Sequence, residues 1–154
     1  MAVLLAMAAL SFAEVGTEPG DAVLTLFEAL KAGDGETAIG CVAASTIAEL
    51  GESIEALQMM PDMAVAQLAE LGIEIDPADL ETITPEEFGV LILSAPLISS
   101  SIAMFSVSIG DVEIDGDTAE VEVITGMMGE TDRDMVHVVL EDGSWKVVEL
   151  GLSI

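Results

Sequence analysis

Beyond Ala103 the hydrophobic period of the chain changes from about 3.6 residues to 2, and this switch restricts the folds open to it. Before it, Val23, Leu26, Phe27 and Leu30 fall at i, i+3, i+4 and i+7, and Gly33 supplies a C-terminal stop, which predicts a first amphipathic helix from Glu18. Asp34 can cap a second helix, with Ile39, Val42, Ala43, Ile47 and Leu50 as its stripe and Gly51 as its end. A third helical run from Ser53 breaks at Pro61, resumes at Asp62 and stops at Gly72. Asp76-Pro77 and the capping box Thr84-Pro85-Glu86-Glu87 each start another helix, with proline at its first position. After the switch, strands are expected near 104–114, 117–125, 131–140 and 144–150. Asp115-Gly116 and Asp142-Gly143 are two-residue hairpin signals, while Gly126 to Glu130 reads as a longer connection. Helices first and strands last predict an α+β domain, with N-terminal helices packed on an antiparallel sheet of about four strands. The helix-rich middle, 51–101, reads as an insertion or lid.

The stretch DVEIDGDTAEVE, Asp111 to Glu122, offers acids and a glycine at the positions of an EF-hand calcium loop. That motif needs a flanking helix on each side, and FSVSIG and VEVITG alternate like strands instead. A type I′ turn at Asp115-Gly116 sets Ile114 opposite Asp117, Val112 opposite Ala119 and Gly110 opposite Val121. Glu113 then meets Thr118, Asp111 meets Glu120, and Ile109 meets Glu122, so the acids form an outer face. The same logic at Asp142-Gly143 pairs Leu140 with Trp145 and Val138 with Val147, turning the single tryptophan toward the core.

Charge excludes some partners. The chain carries 29 acidic residues against three basic ones, a net charge of −26 that repels nucleic acid and anionic membranes. A hydrophobic content of 52% excludes a disordered polyelectrolyte. The opening MAVLLAMAALSFA is an uncharged apolar run with small residues at the −3 and −1 positions of a cleavage site, so 1–13 reads as a secretory signal, 14–154 as the mature domain, and the location as periplasmic or extracellular. One cysteine, Cys41, cannot form an internal disulfide and reads as a small buried hydrophobe on a helix. Phe88 to Gly110 carries no charge, yet Pro96 interrupts it and its end alternates, so a buried helix followed by a strand is expected in place of a membrane span.

Chemistry-bearing residues are few. His137 can serve as a general base only if a carboxylate orients it, and no nucleophile motif accompanies it, so a structural strand histidine is expected. One His and one Cys do not make a zinc ligand set. Met59-Met60-Pro61-Asp62-Met63 clusters thioethers of the kind that bind Cu(I), although methionines at helix junctions more often fill gaps. Met127-Met128 reads as an exposed contact or as a turn tucked over the core. No phosphate loop or other cofactor motif is present, and neither a metal nor a cofactor is expected.

The first helix AVLTLFEALKAGDGETA, the hairpin DVEIDGDTAEVEV and the closing strand EDGSWKVVEL together resemble the nuclear transport factor two-like superfamily, and especially its small exported bacterial members. The resemblance implies a cone-shaped, cystatin-like α+β fold with helices inside a curved sheet. It also implies an apolar pocket, for which Phe27, Val121, Val123 and Trp145 are the candidate linings. The isomerases of that superfamily place a tyrosine in the oxyanion hole, and this chain has no tyrosine. The resulting expectation is an exported, non-catalytic binding or interaction domain holding a small apolar ligand or a protein partner. The alternative is an isomerase- or lyase-type enzyme using a carboxylate or His137 in the cone.

Overall fold

The computed structural model describes residues 18–149, and the expected signal segment with its cleavage point after Ala13 lies outside them. The helices come first: α1 (Pro19–Ala32), α2 (Gly35–Gly40), α3 (Ala44–Gln58), α4 (Pro61–Glu70), α5 (Pro77–Leu80), α6 (Pro85–Leu93) and α7 (Pro96–Ile102). The strands β1 (Ser106–Asp115), β2 (Thr118–Met127), β3 (Glu130–Glu141) and β4 (Ser144–Val147) form one antiparallel sheet in sequence order. This is the α+β architecture that the change of period implies. The uncharged stretch from Phe88 is divided among α6, α7 and β1, and no helix among the described residues is long and apolar enough to cross a membrane.

Proline sets the helix starts. All five prolines of the chain stand in the first turn of a helix, where the missing N–H has no intrahelical partner to lose. Thr84 and Glu87 form the reciprocal capping box, and the Thr84 hydrogen bonds hold the Glu87 carboxyl below its ordinary range. The helix expected from Asp34 to Gly51 is corrected to two. α2 ends at Gly40, and α3 runs on through Gly51 to Gln58. The break between them serves the sheet: the Val147 N–H donates to the Cys41 carbonyl at 2.7 Å, and the Ala43 N–H donates to the Val147 carbonyl at 2.8 Å. β4 is an edge strand, and this short segment occupies its open side. Cys41 thus lies at the C-cap of α2, fully buried, with its thiol pushed up by burial and its Sγ donating to the Thr37 carbonyl.

The first hairpin also differs from its expected register. Its loop is Gly116-Asp117, so that Asp115 faces Thr118, Ile114 faces Ala119 and Val112 faces Val121. The reason is the turn type. Only Gly116, at φ 63°, is left-handed there, as a II′ turn requires at its first loop position, whereas a I′ turn would have forced Asp115 to positive φ. A bulge at Gly110-Asp111 then sets two residues against Glu122 and brings Ile109 opposite Val123, moving Ile109 to the inner face. The β2–β3 connection is also shorter than expected, a two-residue loop of Met128 and Gly129, both at positive φ. The last hairpin pairs Leu140 with Trp145 and Val138 with Val147 as its Asp-Gly turn requires.

α1 is the helix laid on the sheet, touching β1, β2 and β4, while α2 and α7 pack on α1. The core between them holds Val23, Leu26, Leu30, Val121, Val123, Val138 and Trp145. A second apolar cluster, Ile54, Leu68, Leu80 and Phe88 among its members, lies within the helical middle. The opposite face of the sheet is acidic, with Glu113 directly across from Glu120. Like charges so placed repel, and the net charge adds to that repulsion. Glu120→Lys is therefore expected to leave the fold intact and be neutral or stabilising by about 0.5 kcal/mol at low salt, shrinking as salt is added, as paired melts would show.

Candidate functional site

An apolar cleft of about 490 Å³ opens where the N-terminal end of α1 meets β1. Its helix side is Pro19, Gly20 and Leu24, its strand side is Ile109, Val112 and Ile114, and Trp145 lies at its base. Two glycines shape it. A Cβ at Gly20 would stand 3.2 Å from Ile109 Cγ2, so glycine lets the start of α1 settle against β1. A Cβ at Gly110 would overlap the Glu122 carboxylate, so glycine permits the bulge that turns both Ile109 and Val112 inward. Glu122 secures that bulge from the outer side. It accepts from the Asp111 N–H at 3.2 Å and pairs with Arg133 Nη1 at 3.0 Å, and the Arg133 guanidinium, with the Asp111 N–H behind it, holds its carboxyl below the ordinary range.

The lining suits a small, largely apolar molecule. Val112 and Ile114 are 39% and 60% exposed, an unusual exposure for inner-face aliphatics, while Trp145 is only 6% exposed. Glu18 and Asp21 stand at the rim and can accept hydrogen bonds from N–H or O–H groups of a molecule seated below. The volume is within the range usual for small-molecule sites, roughly 300–1,000 Å³.

Of the four residues proposed from sequence as pocket linings, Trp145 borders this cleft. Val121 and Val123 are 0% and 2% exposed, sealed beneath α1 in the same core, and Phe27 packs half-buried against that core. The wall residues Gly20, Leu24, Ile109, Val112 and Ile114 were not anticipated. Gly110 inside a strand pattern was the available signal, since such a glycine marks a bulge. His137 lies elsewhere, half exposed on the outer face, with Nδ1 3.5 Å from Glu120 Oε1. There it borders a second groove, of about 830 Å³, which includes Glu113, Thr118 and Val148 and shares Ile114 with the cleft. Among the described residues, no group of three or more His, Cys, Asp or Glu converges as a metal site.

The model of a family described as "Putative lumazine-binding" matches residues 23–150, from the second turn of α1 to beyond β4. The chain belongs to that family. It falls within the nuclear transport factor two-like superfamily, which agrees with helices laid on an open antiparallel sheet. For this member of the lumazine-binding family, the match includes the β1 wall of the cleft and Trp145. The chain matches no curated protein and no solved structure.

Proposed function

We propose that this protein is a non-catalytic binding domain that seats a flat heteroaromatic ligand of the lumazine type in the cleft between α1 and β1. The observation that carries the reading is the single tryptophan at the base of an aliphatic cleft with carboxylates at its rim. An indole and branched aliphatic walls favour a bicyclic ring, and Glu18 and Asp21 offer acceptors to ring N–H groups. Binding is favoured over proton transfer because His137 and its carboxylate neighbour Glu120 stand on the opposite face of the sheet. The uncharged apolar run at 1–13 supports an exported protein, whose mature chain would begin at Glu14 in mass spectra of secreted material.

Trp145 supplies the assay. With one tryptophan and no tyrosine, intrinsic emission comes from the cleft itself. A lumazine titrated into the protein is expected to quench that emission saturably. Val112→Glu, at an exposed wall position that the outer groove does not share, should weaken the effect about tenfold or more without unfolding the chain. His137→Ala should leave it within about threefold. Quenching that never saturates, or that Val112→Glu leaves unchanged, would overturn the reading, and a loss confined to His137→Ala would move the site to the outer groove.

A further inference from the structure

All the methionines among the described residues are exposed, from 37% at Met127 to 97% at Met128. Methionine ordinarily fills irregular gaps in cores, and a core role accounts for none of these. Three of them fall within five residues at the α3–α4 junction, with Met59 at 82%, Met60 at 57% and Met63 at 52% exposure. The start of α4 places two of them on one turn. Met60 is the N-cap of α4 and, with Pro61 opening the helix, Met63 is its third residue. In a capping box the side chain at each of these positions reaches the backbone N–H of the other, so both look onto the same first turn, and here they carry two thioethers in place of a hydroxyl and a carboxylate. Met59, the C-cap of α3, stands next along the same short connection.

We infer that the α3–α4 junction is a binding site for one soft monovalent cation of the Cu(I) and Ag(I) class, held by Met60 and Met63 with Met59 completing the shell. Thioether sulfur is a neutral, polarisable donor that favours such ions over zinc, calcium or magnesium. Asp62 and the net charge of −26 raise the local concentration of any cation without competing as soft ligands. Because a thioether carries no proton to displace, affinity should not change between mildly acidic and neutral pH, unlike that of a thiolate or imidazole site. Long, flexible side chains on a fixed turn can close around an ion without moving the backbone.

The test is a titration of Ag(I), the redox-inert ion of the class, into protein labelled with ¹³C at the methionine methyls. The methyl signals of Met59, Met60 and Met63 are expected to move together and saturate at one equivalent, with those of Met127 and Met128 unmoved. The Met60→Leu, Met63→Leu double variant keeps the size and apolarity of both side chains. It should weaken binding by at least the roughly tenfold that loss of an outer-shell partner alone can cost. Buried Cys41 is the competing soft ligand, so Cys41→Ala is titrated in parallel and should bind as the parent does. Shifts spread evenly over all the methionine methyls, or a response abolished by Cys41→Ala, would overturn the assignment. Should the double variant melt well below the parent, the pattern of shifts in the unmodified protein decides.

Discussion

Trp145→Ala is expected to lower stability by about 3–5 kcal/mol, the usual cost of removing a large buried aromatic side chain. Trp145 is 6% exposed, faces Leu140 across the β3–β4 pair, and belongs to the core covered by α1. Its loss removes apolar area and leaves a void that the rigid α1–sheet contact fills only in part. For a domain of this size the melting temperature should fall by on the order of 10 °C. Trp145→Phe separates the residue's two roles. It retains an aromatic ring in the core and should cost less, yet it shortens the base of the cleft, so lumazine affinity should fall while the fold persists. Because Phe lacks the indole emission, that affinity is read from the ligand's own absorbance. A cost below about 1 kcal/mol for Trp145→Ala would show that the indole is not part of the core.

How far the sequence leads depends on the range of the interaction that decides each feature. The Asp142-Gly143 hairpin is decided within a few residues. Both loop positions take positive φ, as that dipeptide favours, and the register that turns Trp145 inward follows from it. At Asp115-Gly116 the same dipeptide leaves two solutions, I′ on Asp-Gly or II′ on Gly-Asp, and choosing between them requires the packing of both strands. The choice shifts the register by two residues, so each side chain keeps its face, and the acidic outer surface is legible either way. The bulge is different, because it changes which face Ile109 occupies, and the strand wall of the cleft depends on it. Prolines are legible as punctuation, and each one here starts a helix; the short link at Cys41–Ala43 is not, because its cause is the open edge of β4, more than a hundred residues along the chain. Val121 and Val123 illustrate the remaining gap. Alternation assigns them to the inner face, but whether that face lines a space or is closed by α1 depends on how near the helix lies.

Val121→Asp exploits that last distinction. Val121 has no exposed surface and lies between Val112 and Val136 on neighbouring strands, beneath α1. A carboxylate there has no cation to meet, and an uncompensated buried charge costs about 3–5 kcal/mol. Against a typical total of about 5–15 kcal/mol, that should leave the variant marginally stable or unfolded at neutral pH, as chemical denaturation would measure. Val121→Thr, nearly the same in shape, buries only a hydroxyl and should cost about 1–3 kcal/mol. The pH dependence of the aspartate variant gives a second readout. Burial favours the neutral acid, so the folded-state pKa of the new group lies above its unfolded value. The penalty is therefore full above the folded pKa and is relieved as pH falls toward the unfolded one, so the deficit relative to the parent should narrow on acidification. A solvated cavity beside Val121 would produce the contrary result: the carboxylate would stay hydrated, the variant would fold as the parent does at neutral pH, and the proposed ligand site would have to be sought between α1 and the middle of the sheet instead of at the α1–β1 edge.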